Sequence, residues 1–156
     1  MISQFSIPKI AEGCYLGGMA ALNIPGCGTS GDWHLQQTFF RPRRKLSRSF
    51  ISGEGCPTNT NKYFGSEGIY DCTSILDELS IPYESSPVFA ASHIRATADL
   101  VIDAVLRGLS PDFVVLDDWL PLATDKARVF DLLERAMQYM PVDQQEAVRK
   151  WRYKSA

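Results

Sequence analysis

A chain of 156 residues has the length of about one domain, and its 45% hydrophobic and 22% charged residues are ordinary for a globular protein. The net charge of −2 excludes a general electrostatic attraction to nucleic acid or to membrane surfaces. No run approaches the roughly eighteen apolar residues that a membrane span requires, and residues 1–13 lack the pattern of a secretory signal. We therefore expect one cytoplasmic domain over residues 1–156, of the α+β class, without membrane contact.

The N-terminal half contains most of the eleven glycines and few helical patterns, which predicts strands and loops. Residues 15–24 have the pattern of extended or turn-rich chain, and residues 25–32 that of a loop. The segments 35–40 and 46–52 are predicted to pair as antiparallel strands with a basic turn between them, and a loop over 53–62 follows. We therefore expect a small antiparallel sheet here and a mostly helical C-terminal half.

The helix that begins after Ser92 has the clearest pattern in the chain. Ser92 is a typical N-cap residue, and a short extended run over 87–90 precedes it. Gly108 stands where a helix-ending glycine is expected, and Pro111 prevents continuation. The residues predicted on the buried face are Ile94, Ala98, Val101, Ile102, Val105, Leu106 and Leu109.

Three further helices are predicted, over 73–79, 124–140 and 143–153. Thr124 is a candidate N-cap for the second of them, and Asp143 with Glu146 resembles a capping box at the start of the third. The segment 113–120 is ambiguous between helix and strand.

The four cysteines do not have the spacing of a structural zinc site, since none forms a Cys-x-x-Cys pair. They are Cys14, Cys27, Cys56 and Cys72. We predict that they are reduced thiols in a cytoplasmic protein, and we predict no metal and no other cofactor.

The loop from Gly28 to His34 is the first candidate site, because it gathers two hydroxyls, a carboxylate, an indole and an imidazole. Glycines let backbone N–H groups approach an anion, and Trp33 can stack on a base or anchor a protein partner. Asp32 can orient His34 as a general base. The alternative is a structural turn in which Asp32 bonds to local backbone and Trp33 fills the core.

The start of the Ser92 helix is the second candidate site. A helix N-terminus favours anions, so the group of His93, Arg95 and Asp99 could bind a phosphate or a partner's carboxylate. His93 could also serve catalysis with Asp32 and His34. The alternative places both side chains at the surface beside the cap. Arg95 then forms an ordinary ion pair with Asp99 one turn further on.

The segment 41–48 is the third candidate, with five basic residues and no acid: Arg41, Arg43, Arg44, Lys45 and Arg48. The chain has 16 basic and 18 acidic residues, so without these five the net charge is −7. Arg41, Arg43 and Arg44 could contact nucleic-acid phosphates or an acidic partner, or could form a solvated hairpin tip. The acidic remainder makes nucleic acid the weaker of the two partners.

Asp117, Asp118 and Trp119 form a fourth candidate. Adjacent carboxylates can bind Mg²⁺ or a basic partner, although in a strand they would point to opposite faces. The alternative is a solvated turn with Trp119 packed inward.

The run from Val88 to Val101 resembles the strand-and-helix segment of AbiEi-like antitoxins, in which an extended run is followed by a small polar helix start and Arg-Ala-x-x-Asp-Leu. With residues 30–34 and 116–119, it is also similar to small proteins of bacterial mobile and defence gene pairs. The resemblance implies neutralisation of a toxin, often a nucleotidyltransferase. Residues 1–70 show no helix-turn-helix pattern, so the DNA-binding domain of that class does not carry over.

The function that we predict is that of a non-enzymatic interaction protein in a bacterial or phage conflict system, antitoxin-like or immunity-like. Its predicted partner contacts are Trp33, Arg41, Arg43, Arg44, His93 and Arg95. One alternative is a small enzyme or nucleotide-binding domain that uses Asp32, His34 and His93. Another is a phage-encoded inhibitor of a host nuclease or CRISPR complex, in which the basic segment meets a nucleic-acid-binding target.

Overall fold

A computed structural model describes residues 6–25 and 50–155 of the chain. The strands in these residues are β1 (Cys14–Leu16), β2 (Ile51–Gly53), β3 (Ile69–Asp71) and β4 (Phe89–Ala91). The α-helices are α1 (Gly18–Leu22), α2 (Asn61–Phe64), α3 (Thr73–Glu78), α4 (His93–Leu106), α5 (Leu116–Trp119), α6 (Ala123–Met137) and α7 (Val142–Ser155). A short 3₁₀ helix spans Pro111–Phe113. The α+β class is confirmed.

The four strands form one mixed sheet in the order β2-β1-β4-β3. β1 runs antiparallel to β2, with Tyr15 opposite Ser52, and parallel to β4, with Leu16 opposite Ala90. β3 is antiparallel to β4. The expected purely antiparallel sheet is therefore wrong, because β4 from the second half of the chain enters the sheet beside β1. The segment 35–40, predicted as the partner of 46–52, lies outside the described residues.

The long helix α4 follows its sequence signals at both ends. The Ser92 hydroxyl accepts a hydrogen bond from the backbone N–H of Arg95 over 3.1 Å, which satisfies one of the free donors of the first turn. Gly108 has φ of +72°, a conformation that a glycine adopts without steric penalty. Leu106 and Leu109 are 37% and 62% exposed, so their predicted burial is wrong. The helix ends at Leu106, and the Gly108 turn redirects the chain before Leu109.

The helix α4 lies between two apolar clusters. On one side, Val101 and Ile102 pack with Leu133 of α6 and Trp151 of α7. On the other side, Ala96 packs with residues of β1 and α1. Each fully buried Leu or Ile side chain contributes about 1.5–3 kcal/mol relative to an exposed one, so α4 is held firmly in place.

Several helix boundaries differ from the sequence prediction. α6 begins at Ala123 with Leu122 at its N-cap and no side-chain cap, so the predicted Thr124 cap is wrong. α7 begins at Val142, which places Asp143 in the first turn rather than at the cap. The segment 15–24, predicted as extended or turn-rich chain, contains the last two residues of β1 and the helix α1. Within the described ranges, no helix has the length and apolar character to cross a membrane.

Candidate functional site

The guanidinium of Arg95 lies inside the protein, with none of its side chain exposed. Its Nε donates to Asp99 Oδ1 over 2.9 Å, and its Nη1 donates to the backbone carbonyls of Gly65 and Glu67 over 2.9 and 2.7 Å. Its Nη2 donates to polar atoms of three other side chains: Tyr15 Oη at 3.2 Å, Thr60 Oγ1 at 3.1 Å and Asn61 Oδ1 at 3.3 Å. We call Tyr15, Thr60, Asn61, Arg95 and Asp99 the Arg95 cluster.

The Asp99 carboxylate is the anion of this cluster. The hydroxyls of Tyr15 and Thr60 each donate to it over 2.5 Å. Burial raises the pKa of the Asp99 carboxyl, while the Arg95 charge and the two hydroxyl donors act in the opposite direction. Burial, followed by the Asp99 charge, raises the pKa of Tyr15 above its ordinary value. The buried charge is thus surrounded by donors, as a buried ion pair requires.

The Arg95 cluster joins elements that are distant in sequence. Tyr15 comes from β1, Thr60 and Asn61 from the start of α2, and Arg95 and Asp99 from α4. The guanidinium also lies over the aromatic rings of Tyr15 and Phe64, with centroid distances of 5.2 and 5.1 Å. These contacts make Arg95 an internal cross-link between sheet and helices.

His93 is also internal, with 5% of its surface exposed. Its Nε2 lies 2.7 Å from the Ile24 carbonyl oxygen, which can only accept, so Nε2 carries the proton of that bond. Burial lowers the pKa of His93 below its ordinary value. The expected surface positions of His93 and Arg95 need correction, because the first turn of α4 packs inward against α1 and the sheet. The predicted Arg95–Asp99 ion pair is confirmed, but it is buried.

A cleft of about 520 Å³ lies next to the cluster, between the start of α4, the segment at Glu67 and Gly68, and α6. We call it the α4–α6 cleft. Apolar atoms of Ile94 and Leu132 line it together with Ser92 and Arg95, and charged residues complete the lining: Glu67, Arg128, Asp131 and Arg135. The last three are exposed residues of α6. Their spacing with Leu132 follows the helical repeat, so one face of α6 presents them all.

The charges of the cleft are accessible to a binding partner. Arg135 Nη2 lies 2.5 Å from Glu67 Oε2, in an ion pair whose side chains are 46% and 53% exposed. An exposed pair of this kind contributes little free energy, so an incoming carboxylate can replace Glu67. The sequence did not single out Arg128 and Arg135. The two residues are seven positions apart on a predicted helix, and both lie beside its apolar face.

The acidic pair at Asp117 and Asp118 lies in helix α5 rather than in a strand. Asp117 forms an ion pair with Lys126 of α6. Trp119 is partly buried and packs against the apolar core, as expected for the inward position. In the described part of the chain, no three His, Cys, Asp or Glu residues are arranged to hold a metal ion.

Several predicted site residues lie outside the described ranges, and their predicted roles stay predictions: Asp32, Trp33, His34, Arg41, Arg43 and Arg44.

Three thiols are described. Cys14 and Cys56 are partly exposed and Cys72 is buried, and none of the three is in a disulfide.

Comparisons with protein-family models, with curated proteins and with solved structures found no match for this chain.

Proposed function

We propose that this chain is a non-enzymatic interaction protein of a bacterial or phage conflict system, antitoxin-like or immunity-like, which binds a protein partner. The observation that carries the proposal is the α4–α6 cleft, with apolar contributions from Ile94 and Leu132 and an exposed charged rim. An apolar centre with a polar rim is the usual anatomy of a protein–protein contact, and arginine is enriched in such contacts.

The chemistry of the cleft indicates which surface it would accept. Arg128 and Arg135 are exposed cations on one face of α6, and Leu132 lies between them in the sequence. A partner that presents an apolar side chain flanked by carboxylates would pack on the partly exposed Ile94 and bond to the two guanidinium groups. Arginine forms such bonds in a bidentate manner, which gives geometric selectivity.

The position of the cleft agrees with the sequence resemblance. The run from Val88 to Val101, which resembles AbiEi-like antitoxins, includes β4 and the first part of α4. Ser92, Ile94 and Arg95 of this run line the cleft. The Arg95 cluster fixes one wall of the cleft. Arg95 donates a hydrogen bond to the backbone carbonyl of Glu67, and the Glu67 side chain extends to the charged rim.

The enzyme alternative depends on His93 together with Asp32 and His34. His93 already uses Nε2 on the Ile24 carbonyl and is almost fully buried, which leaves it poorly placed for proton transfer to a substrate. A thermal-shift panel of nucleotides and divalent metal ions tests this alternative. A ligand at 100 times its Kd adds about 2.7 kcal/mol of stability, so a clear shift of the unfolding temperature would favour the enzyme.

Co-expression with the product of the adjacent gene tests the proposal. We expect that product to slow bacterial growth when expressed alone, growth to recover when this chain is co-expressed, and the two proteins to co-purify. A product that is harmless alone, or that does not co-purify with this chain, would refute an antitoxin-like or immunity-like role.

A further inference from the structure

Cys14 and Cys56 face each other across the edge of the sheet. Cys14 is the first residue of β1 and lies opposite Gly53, and Cys56 follows three residues later in the turn after β2. Their Sγ atoms are 3.8 Å apart, and both lie within 3.8 Å of the Glu54 carbonyl oxygen. Both cysteines are partly exposed, whereas Cys72 is fully buried in the core.

From this geometry we propose that Cys14 and Cys56 form a reversible disulfide that clamps the turn after β2 to β1. The inference is independent of the proposed partner. A disulfide needs an S–S distance of about 2.05 Å, so the two sulfur atoms must approach each other by about 1.8 Å. The turn can supply this movement, because Glu54, Gly55 and Pro57 are exposed around Cys56 and the space beside Gly55 is open.

The oxidant that completes the chemistry is a small disulfide such as glutathione disulfide. The Cys14 thiolate attacks one sulfur of glutathione disulfide, forms a mixed disulfide and releases one glutathione thiolate. The Cys56 sulfur, after losing its proton, then attacks the Cys14 sulfur and displaces the second glutathione. The two cysteine sulfurs together lose two electrons, glutathione disulfide gains them, and the two thiol protons end on the two glutathione molecules.

The order of these steps follows from the environment of Cys56. Burial, followed by its hydrogen bond with Cys14, raises the pKa of Cys56 to about 11. A thiol with such a pKa is mostly protonated near neutrality and is a poor first nucleophile. Cys56 is therefore better suited to the resolving step, in which its target sulfur already lies 3.8 Å away.

The clamp acts on a segment that reaches the Arg95 cluster. Asn61 Nδ2 donates to the Gly13 carbonyl over 3.0 Å, and Asn61 Oδ1 accepts from Arg95 over 3.3 Å. Joining Cys14 to Cys56 fixes the turn that leads into Thr60 and Asn61. Oxidation is thus expected to slow amide hydrogen exchange over residues 53–64.

Peptide mapping of a Cys27→Ser variant tests the proposal, because Cys27 shares a tryptic peptide with Cys14 and would confuse the assignment. Trypsin then places Cys14 in peptide 10–43, Cys56 in peptide 49–62 and Cys72 in peptide 63–95. After incubation of the folded protein with glutathione disulfide, we expect a cross-link between the first two peptides that dithiothreitol removes. The same cross-link should form in Cys27→Ser with Cys72→Ser, and not in Cys27→Ser with Cys56→Ser.

A thermal measurement separates a native clamp from an accidental cross-link. Closing the loop between Cys14 and Cys56 restricts the unfolded chain. We therefore expect the oxidised protein to unfold at a temperature at least about 5 °C higher than the reduced protein. A persistent glutathione adduct without a cross-link, a cross-link to Cys72, or a cross-linked protein of lower unfolding temperature would each overturn the proposal.

Discussion

Arg95 donates a hydrogen bond from Nε to Oδ1 of Asp99 over 2.9 Å, one turn further along the same helix, and the two side chains are 0% and 1% exposed. A second ion pair of the same spacing, Arg107 with Asp103, has side chains that are 47% and 22% exposed. The two pairs offer an internal comparison of a buried and an exposed salt bridge in one region of the fold.

We predict that Arg95→Ala lowers the free energy of unfolding by about 3–5 kcal/mol, because it leaves the Asp99 carboxylate buried without its cation. Arg107→Ala is the matched control and should change the free energy of unfolding by less than about 1 kcal/mol. Urea unfolding followed by circular dichroism measures both. Equal effects of the two substitutions would show that the buried pair is not a cross-link of the fold.

Tyr15→Phe removes a hydroxyl that donates to the Asp99 carboxylate and should lower stability by about 1.5–3 kcal/mol. It should also change the alkaline limb of the stability curve. The raised pKa of Tyr15 means that the folded protein keeps a proton that the unfolded chain releases, so this contribution to stability is complete below about pH 10 and declines above it.

The measurement is the urea midpoint of wild type and Tyr15→Phe between pH 9 and pH 11, with Tyr153→Phe as control because Tyr153 is 87% exposed. The decline should be shallower in Tyr15→Phe and unchanged in Tyr153→Phe. Parallel curves for all three proteins would argue against a buried, hydrogen-bonded Tyr15.

His93 predicts an acid-sensitive stability. Burial lowers its pKa, so the unfolded chain binds a proton more readily than the folded protein, and stability is lost as pH falls from about 6.5 toward the folded value. The chain has two histidines, which makes His34→Gln the natural control for His93→Gln. We expect His93→Gln to reduce the loss of stability between pH 7.5 and 5.5, and His34→Gln to retain it. The reverse result would place the titrating group at His34.

Gly68 packs directly on the Arg95 side chain. It has φ of +75°, and a Cβ there would lie 2.7 Å from Arg95 Cβ and 3.1 Å from Ser92 Oγ. Gly55 has a similar φ of +77° but open space around it. Gly68→Ala should therefore destabilise more than Gly55→Ala, which has only the backbone strain of about 1 kcal/mol. Similar thermal unfolding midpoints for the two variants would contradict the close contact.

The parts of the fold that sequence predicted well are those with local signals. The helix α4 could be predicted from the sequence because its signals lie in one segment. These signals are the cap at Ser92, the glycine stop at Gly108 and the apolar repeat between them. The helix α1 was missed because Gly17 is its N-cap and Gly18 its first residue, and because its apolar residues show no clear helical repeat in five residues.

The burial of Arg95 depends on contacts that no local pattern contains. Its anion is four residues away, but Tyr15 and Thr60, which donate to that anion, are separated from it by 84 and 39 positions. From the local sequence alone, an arginine in the first turn of a helix is expected at the surface. The cleft was missed for the same reason, since Glu67 meets Arg135 only after α6 has packed beside α4.

Isothermal titration calorimetry tests binding at the α4–α6 cleft most directly, with the purified product of the adjacent gene as titrant. The variant is Arg128→Glu with Arg135→Glu, and the control is Arg149→Glu with Lys150→Glu, an equal change of charge at exposed positions of α7. We predict that the cleft variant weakens binding at least about 100-fold, since two charged contacts are reversed, while the control changes it by less than about 5-fold. Equal affinities of the cleft variant and the wild type, with both proteins folded, would contradict partner binding at this cleft.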